Sequence, residues 1–458
     1  MVSLESYIAL NAERYPDRIA VVCGDEHCTY AELNRRIDEL VATLAPPITP
    51  PLLGRGGVGG GALACLRAHA SIEFIVSYFA LHRAGYAAAP MERDMPHAAF
   101  EAVAQELSRH PIPEGTADVL YTTGTTGKSK GVMISHSTIV ADAENLIAGQ
   151  GFSHDLTFVI NGPLNHIGSL SKIYPVMMLG GTIVIVDGLK DLSTFFDAFN
   201  THLRLPGVPA RYATFLVPAS IRILVQFSAD RLAALADRMD FIETGAAAIS
   251  QADMQTLCQL LPRTRLYNTY ASTETGIIST YNFNDGHCVA GCLGRPMPHS
   301  RLFITEQGLI ACQGDTLMTG YIGDPERTAS VLRDATLYTS DLGRIDDGGM
   351  LHLAGREDDV INVGGFKVAP TEVEDAAMAY PDLKDCICIP VEHKITGVAL
   401  KLLVVMIEGK TLDKRALALH LKSRLETYKV PLLYEAVPSI HRTFNGKLNR
   451  KAYLNPNT

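Results

Sequence analysis

The chain has 458 residues, of which 47% are hydrophobic and 19% are charged, and its formal net charge is −9. This length predicts two or more domains, and the composition is typical of globular rather than disordered proteins. The negative charge, without any long basic run, argues against a nucleic-acid-binding protein.

The sequence predicts neither a secretory signal at residues 1–18 nor a membrane span at residues 173–186. Residues 1–18 contain no basic stretch followed by an apolar core, so they predict no secretory signal. The most apolar later segment, residues 173–186, is interrupted by Pro175 and is too short to span a bilayer. We therefore expect a cytoplasmic protein without a membrane span.

The nine cysteines are scattered and include no C-x-x-C pair. This pattern predicts reduced thiols and no zinc site. Cys386 and Cys388 alternate along a strand-like run, so we expect both to be buried packing residues.

Hydrophobic patterning predicts an α/β protein with a parallel sheet, because strand-like and helical runs alternate. After a Pro/Gly-rich loop at residues 46–61, the strand-like runs are 182–186 and 301–305, and the helical runs are 229–239 and 251–261. Residues 308–353 predict a series of hairpins, because short apolar runs are separated by Gly-Asp and Asp-Gly turns.

A charged turn at residues 355–359 predicts a domain boundary, with domains at 1–355 and 356–458. The second part predicts a small α+β domain, with strands at 386–391 and 401–407 and helices at 370–377 and 414–426.

The first motif is residues 121–136, YTTGTTGKSKGVMISH, which follows an apolar run. A Gly/Thr-rich loop of this kind can turn successive backbone N–H groups toward one point, so it predicts a phosphate-binding loop. A Walker A loop would need glycine at position 122, where the chain has Thr122, and a Walker-type ATPase is therefore excluded.

Four further motifs follow in order. Residues 267–276, YNTYASTETG, offer the aromatic face of Tyr270, a hydroxyl at Thr273 and the Glu274 carboxylate, a kind of ligand that Mg²⁺ prefers. Residues 338–344, YTSDLGR, contain Asp341, whose carboxylate can accept two hydroxyl hydrogen bonds. The turn at 355–359, GREDD, comes next, and residues 445–451, NGKLNRK, present Lys447 near the C-terminus.

These five motifs, in this order, resemble those of the adenylate-forming enzymes, a superfamily of acyl-CoA synthetases, aryl-CoA ligases, luciferases and peptide-synthetase adenylation domains. The likeness runs from residue 29 to Lys447 and is greatest to acyl- or aryl-CoA ligases. It implies a large N-terminal domain of mixed sheets and helices with a small β-barrel-like subdomain, then a small mobile α+β domain. It also implies that a carboxylic acid attacks the α-phosphorus of ATP and that the acyl-AMP is transferred to a thiol.

The resemblance also implies roles for individual residues. The β- and γ-phosphates would be bound by Thr122, Thr123, Gly124, Thr125, Thr126, Gly127 and Lys130. The nucleotide would further contact Gly245, Ala246, Ala247, Asn268, Tyr270 (adenine), Asp341 (ribose) and Arg356. The catalytic residues would be Lys447, His166, Thr273 and Glu274, with Glu274 as the Mg²⁺ ligand, while Asp358 would be the hinge and Gly364 and Gly365 would line a pantetheine tunnel.

The acid is predicted from residues 162–170, GPLNHIGSL, which contain no carboxylate. An α-ammonium group in the pocket would then be unpaired, which disfavours an amino acid as substrate. The segment resembles the PLxH element of acyl- and aryl-CoA ligases, and the pocket candidates are Asn165, His166, Ser169, Val217, Gly245 and Ala271. This set predicts a compact aryl or short acyl acid.

Several alternatives stay open at this point. The acceptor is CoA or the phosphopantetheine of a stand-alone carrier protein, and the oligomeric state is undetermined. Because the segment between Pro90 and Tyr121 is shorter than in the family, a nucleotide-binding regulatory protein without turnover is a second hypothesis. A luciferase-like enzyme that uses oxygen is a third.

Overall fold

The computed structural model describes residues 3–44, 62–122, 130–363, 366–393, 397–442 and 448–454. The predicted loop at 46–61 lies outside these residues. The helices, numbered in chain order, are α1 (Leu4–Arg14), α2 (Tyr30–Thr43), α3 (Ile72–Arg83), α4 (His97–Leu107), α5 (His136–Gln150), α6 (Ile167–Leu170), α7 (Ile173–Leu179), α8 (Leu192–Ala198), α9 (Thr201–Arg204), α10 (Pro218–Ala233), α11 (Gln251–Leu260), α12 (Pro325–Val331), α13 (Pro370–Met378), α14 (Lys414–Lys422) and α15 (Lys451–Leu454).

The strands of the first part are β1 (Ile19–Cys23), β2 (Glu26–Thr29), β3 (Ala62–Arg67), β4 (Tyr86–Met91), β5 (Thr116–Thr122), β6 (Lys130–Ser135), β7 (Thr157–Ile160), β8 (Thr182–Ile185), β9 (Tyr212–Phe215), β10 (Met239–Thr244), β11 (Arg265–Ser272) and β12 (Gly276–Asn282). The later strands are β13 (Cys292–Pro296), β14 (Ser300–Ile304), β15 (Leu309–Gly314), β16 (Gly320–Tyr321), β17 (Leu332–Arg333), β18 (Thr336–Ile345), β19 (Leu351–Arg356), β20 (Ile361–Val363), β21 (Phe366–Val368), β22 (Leu383–His393), β23 (Gly397–Met406) and β24 (Leu433–Ala436). Short 3₁₀ helices lie at Glu357–Asp359 and Thr427–Lys429.

A parallel sheet forms the centre of the first part. Strands β1, β8, β7, β9, β10 and β11 are parallel neighbours in that order. All residues of β7 and β8 are buried, as expected for parallel strands covered on both faces. The predicted parallel α/β architecture is therefore confirmed.

The same sheet continues as antiparallel strands β12, β13, β19, β18, β15 and β14. β14 also contacts β12 and β13, so these strands curl around a small apolar core that includes Tyr270, Ile278 and Ile310. This is the predicted barrel-like subdomain. Of the hairpin series predicted at residues 308–353, it contains β15, β18 and β19, whereas β16 pairs with β6 of the second sheet and residues 325–331 form α12.

A second sheet carries the phosphate-loop motif. Its strands β3, β4 and β5 are parallel, while β6 pairs antiparallel with β5 and β16 pairs antiparallel with β6. The shortened segment after Pro90 contains one helix, α4, which connects the parallel strands β4 and β5.

The C-terminal part of the chain, after residue 356, contains the sheet β22-β23-β24 and helices α13 and α14. They surround an apolar cluster in which Cys386 and Cys388 are buried free thiols, as predicted. The domain boundary at 355/356 itself stays a prediction.

Two predicted helices are wrong in their bounds. The helix predicted at 414–426 ends at Lys422, and of the helix predicted at 229–239 only residues 229–233 are helical, because α10 begins at Pro218 and ends at Ala233. Met239 is buried and pairs with Tyr212 as the start of β10, so strand pairing overrides the helical pattern there. In the part of the chain that the structure describes, no helix is long and apolar enough to cross a bilayer.

Candidate active site

The phosphate-loop motif connects two paired strands. Thr122, the last residue of β5, lies opposite Lys130, the first residue of β6, in an antiparallel register. The predicted phosphate ligands Thr123, Gly124, Thr125, Thr126 and Gly127 lie outside the described residues, as does the side chain of Thr122. The two ends of the loop are therefore adjacent at one edge of the second sheet.

Lys130 meets the second motif at this edge. Its Nζ lies 5.2 Å from the centre of the Tyr321 ring, and the Tyr321 hydroxyl donates a 3.0 Å hydrogen bond to Oε1 of Glu274. Burial, followed by the charges of Arg327 and Arg356, lowers the pKa of Lys130, while Glu274 opposes that shift. Tyr321 therefore bridges Lys130 of the first motif and Glu274 of the second.

Tyr321 and Arg327 were not predicted from the sequence. The guanidinium of Arg327 lies 5.7 Å from the centre of the Tyr321 ring. Burial, and next the charge of Glu274, raises the pKa of the Tyr321 phenol well above its ordinary value, so this hydroxyl remains a donor. Tyr321 lies in β16 and Arg327 lies in α12, where neither spacing nor composition in the sequence indicates a site. The one feature that could have indicated Tyr321 is that it stands in the glycine-bounded run GYIG.

Glu274 stands in the tight turn between β11 and β12. Ser272 and Thr275 exchange hydrogen bonds across this turn, and the backbone carbonyl of Glu274 accepts one from the N–H of Met318. Thr273 is half-buried beside Glu274. The turn is therefore fixed by contacts on both sides.

Helix α5, which follows the phosphate-loop hairpin, also holds this turn. Asp142 Oδ1 accepts a 2.7 Å hydrogen bond from the N–H of Ile277, and Asn145 Nδ2 donates a 2.8 Å bond to the Ile277 carbonyl. Burial raises the pKa of Asp142 to about 8. Asp142 and Asn145 therefore connect the helix after the first motif to the strand after the second. No pattern in the sequence predicted these contacts.

The predicted nucleotide residues of the third and fourth motifs are in contact. Tyr270 donates a 2.6 Å hydrogen bond from its hydroxyl to Oδ2 of Asp341, and Nε of Arg356 lies 3.3 Å from Oδ1 of the same carboxylate. Asp341 and Arg356 are directly paired across β18 and β19. Burial, and next Asp341, raises the pKa of Tyr270 well above its ordinary value. Tyr270 is only 7% exposed, so little of its ring is available to a stacking adenine in this arrangement.

Residues 245–247 follow the carboxyl end of β10. Gly245 is buried, and a Cβ added there would lie 2.9 Å from the carbonyl oxygen of Thr269 on β11. Ala246 is exposed with φ of +65°, and Ala247 is half-buried. Asn268 is buried, and its side-chain amide donates a hydrogen bond to the backbone carbonyl of Cys292. In this arrangement the Asn268 side chain therefore links β11 to β13.

Phe215, which the sequence did not indicate, lies between the segment of His166 and Gly245 of the predicted acid pocket. A Cβ on Gly168 would lie 3.2 Å from the Phe215 ring, and one on Gly245 would lie 3.6 Å from it. His166 caps α6 with its backbone, Asn165 precedes it, and Ser169 is buried close to Gly162. Val217 caps α10, and Ala271 is half-buried on β11.

A buried ion pair lies beside this pocket. Nζ of Lys172 is 2.8 Å from each carboxylate oxygen of Glu243, and both side chains are 1% exposed. The ammonium also lies 5.4 Å from the centre of the Phe215 ring.

The predicted hinge and C-terminal residues fall partly outside the described residues. Asp358 is exposed in the 3₁₀ helix after β19, whereas Gly364, Gly365 and Lys447 are not described. Arg450, three residues after Lys447, forms a bidentate pair with Glu374 and lies 3.5 Å from Asp359. The tail that follows Lys447 is therefore attached to α13.

Comparison with known proteins identifies the family. The chain matches the AMP-binding enzyme family over residues 8–108 and 101–322, and the AMP-binding enzyme C-terminal domain over residues 372–447. The chain therefore belongs to the AMP-binding enzymes.

Individual relatives agree with this assignment. Feruloyl-CoA synthase of Amycolatopsis sp is 26% identical over 495 residues, which cover 97% of each chain. The 3-[(3aS,4S,7aS)-7a-methyl-1,5-dioxo-octahydro-1H-inden-4-yl]propanoyl:CoA ligase of Rhodococcus jostii (strain RHA1) is 30% identical over 73% of this chain and 64% of its own. ATP-bound MatB from Rhodopseudomonas palustris shares the fold with a TM-score of 0.83 at 23% identity, covering 99% of this chain and 98% of its own.

These matches confirm the predicted superfamily and the predicted fold class. They also confirm the predicted enzyme class, an ATP-dependent, AMP-forming acid–thiol ligase.

Proposed function

We propose that this enzyme activates an aryl or a short- to medium-chain acyl acid as its adenylate and then transfers the acyl group to CoA. The observation that carries the proposal is that Tyr321 bridges two of the motifs: Lys130, at the end of the phosphate loop, lies 5.2 Å from the centre of its ring, and its hydroxyl donates a 3.0 Å hydrogen bond to Glu274. The named activities of the relatives support CoA as the acceptor, since they include feruloyl-CoA, indoleacetate–CoA and long-chain-fatty-acid–CoA ligases.

Adenylation requires the acid to attack the α-phosphorus while pyrophosphate leaves. Most of the catalysis is then positioning and charge neutralisation at the phosphates. Lys130 would neutralise the outer phosphates, with the loop residues 123–127 supplying backbone N–H groups. Glu274 would hold Mg²⁺, which when bound would neutralise phosphate charge; a single carboxylate beside substrate phosphates is a usual way to hold this ion.

The nucleotide's base would be held by Tyr270 of the second motif, and its sugar by the third and fourth motifs. Asp341 has one oxygen in contact with Tyr270 and the other with Arg356, and a carboxylate has further lone pairs for ribose hydroxyls. For adenine to stack on Tyr270, the ring must become more exposed than it is here. We therefore propose that nucleotide binding rearranges the Tyr270–Asp341 contact.

The pocket around Phe215 suits an uncharged organic group. Phe215 presents its ring between Gly168 and Gly245, where larger residues would fill the space. The buried carboxylate of Glu243 is paired with Lys172, so it cannot serve as the partner of a substrate ammonium. These contacts support an acid without an α-amino group, and His166, Asn165 and Ser169 remain the proposed polar contacts of its carboxylate and neighbouring atoms.

The second half-reaction is proposed to use rotation of residues 356–458 about Asp358. Gly364 and Gly365 would then line the path of the pantetheine thiol, where a side chain would obstruct it. A stand-alone carrier protein carries the same pantetheine arm and is the alternative acceptor. Incubation of the enzyme with acid and ATP, followed by CoA or a phosphopantetheinylated carrier, separates the two by which thioester accumulates.

The Glu274→Gln variant tests the phosphate end of the site. We expect kcat/KM for acid-dependent pyrophosphate release to fall by about 10²–10³-fold, the range found when one preorganised electrostatic contact is removed. Glu306→Gln, an exposed glutamate in the β14–β15 hairpin, is the matched control and should leave the rate unchanged. Equal rates in both variants would exclude Glu274 from the site.

The Lys447→Ala variant tests the proposed division between the half-reactions. We expect adenylation to fall by about 10²-fold or more while transfer from supplied acyl-AMP to CoA stays within about twofold, because the ammonium is needed only where charge develops at the α-phosphate. Lys422→Ala on α14 is an exposed-lysine control. Equal loss of both half-reactions would contradict the role. ATP binding by calorimetry without turnover of any acid would instead support the non-catalytic alternative.

A further inference from the structure

A polar cluster unrelated to the ligase site lies where helices α1, α3 and α5 meet. One ligand atom each from Glu5 on α1, His82 on α3 and His136 at the start of α5 lies within 4.8 Å of the others. Apart from these three residues, the described part of the chain holds no other group of at least three such side chains placed this way. The cluster is at the Thr116–Ser135 end of the β5–β6 hairpin, opposite the phosphate loop.

Two of the three side chains each carry a buried polar atom without a hydrogen-bond partner. The side chain of His82 is fully buried and Glu5 is only 9% exposed, yet His82 Nδ1 and Glu5 Oε2 form no hydrogen bond. Buried polar atoms are paired in the great majority of cases, so each such atom requires an explanation. Two of them facing one space suggest that the space is occupied in the protein.

The tautomer of His82 is set by a second contact. Its Nε2 lies 3.0 Å from Oδ1 of Asp118, which is fully buried and whose Oδ2 accepts hydrogen bonds from the hydroxyls of Tyr78 and Tyr174. A carboxylate accepts the proton carried by Nε2, which leaves the unpartnered Nδ1 with a lone pair available to a ligand. A carboxylate that orients a histidine through its other nitrogen is the usual outer partner of a metal-bound imidazole.

We propose that Glu5, His82 and His136 bind a divalent transition-metal ion, Zn²⁺, with water as the fourth ligand. Two imidazoles and one carboxylate are a ligand set that zinc accepts. Tetrahedral zinc needs ligand atoms about 3.4 Å apart, so side-chain movements of about 1 Å are sufficient to close the site.

The surrounding charges are compatible with a cation. Arg83 is nearby, since its Nη2 donates to the backbone carbonyl of Glu5, but its Nη1 is paired with Asp38. The ion would link three helices at the base of the phosphate-loop hairpin, so its role would be structural.

The cysteine spacing predicted no zinc site, and the three residues of this cluster follow no local sequence pattern. These ligands are separated by more than 50 residues at each step along the chain and come together only through helix packing.

The test is metal binding by the full-length enzyme, purified without a polyhistidine tag and treated with a chelator. We expect about one equivalent of Co²⁺ to bind with the visible absorption of a tetrahedral site and to be displaced by Zn²⁺, and we expect Zn²⁺ to raise the thermal midpoint. Glu5→Gln keeps the shape of the side chain, and His136→Ala removes a half-buried ligand; each should weaken Co²⁺ binding by at least about tenfold.

His97→Ala is the matched control, because His97 is an exposed histidine that lies 4.0 Å from Glu101 on α4. Its Co²⁺ affinity should equal that of the unaltered enzyme. Circular dichroism checks that each variant is folded. The proposal is overturned if the unaltered protein binds no Co²⁺ at micromolar concentrations, or if folded Glu5→Gln and His136→Ala bind it as tightly as His97→Ala does.

Discussion

Gly276 is the residue where a single added methyl group should disturb both stability and chemistry. It is the first residue of β12, two positions after Glu274, with φ of +67°. A Cβ there would lie 2.5 Å from the carbonyl oxygen of Thr316 and 2.6 Å from Oδ1 of Asp142. Both atoms hold the turn, because Thr316 also donates to the carbonyl of Thr275 and Asp142 accepts from Ile277.

The cost of Gly276→Ala has two parts. Placing a residue with a side chain in the left-handed region costs about 1–2 kcal/mol, and forcing extra volume into a packed site costs a further 1–3 kcal/mol or so. We therefore expect the free energy of unfolding to fall by about 2–5 kcal/mol. Because the carbonyl of Thr316 and the carboxylate of Asp142 must move, we also expect the rate of pyrophosphate release to fall.

Gly24→Ala isolates the first part of this cost, the left-handed backbone. Gly24 has φ of +61°, and a Cβ there meets no atom of the described residues within 4 Å. It should therefore lose only about 1–2 kcal/mol and retain its activity. Urea unfolding followed by circular dichroism is the assay, since the chain contains no tryptophan. If the two variants lose equal stability, the reasoning from close contact at Gly276 is refuted.

Two further predictions concern buried charges. Burial raises the pKa of Asp142 to about 8, so the folded state binds this proton more tightly than the unfolded state does. The free energy of unfolding should therefore fall as pH rises from about 4 to about 8. Asp142→Asn should flatten this dependence in urea unfolding measured across that range, whereas an unchanged slope would contradict the assignment. Lys172→Met leaves Glu243 buried and unpaired and should cost about 3–5 kcal/mol, most of which the double variant Lys172→Met/Glu243→Leu should recover. A single variant as stable as the unaltered protein would show that the pair is not buried in solution.

The sequence predicted the family and the fold class because its signals are local. The Gly/Thr-rich loop, the turn with Glu274 and the pairing partners Asp341 and Arg356 stand in short motifs whose order is specific. Alternation of strands and helices was sufficient to predict the parallel sheet. In these cases, the determining residues are close in sequence.

The rest depends on contacts between distant segments. Tyr321, Phe215 and Asp142 reach the candidate site through packing, and nothing at their own positions distinguishes them from core residues. The bounds of α10 were wrong because the pairing of Met239 in a strand outweighed its helical pattern. The cluster of Glu5, His82 and His136 was missed for the same reason, since it exists only once three helices meet.

The measurement that tests the central claim most directly is the nucleotide product balance with an aryl or acyl acid in the absence of any thiol. The account predicts that pyrophosphate forms only when the acid is present, in an amount equal to the sum of acyl-AMP and any AMP released from it by hydrolysis, with an acyl-AMP of the expected mass bound to the enzyme. Formation of ADP and phosphate, or no ATP consumption with any acid, would contradict it.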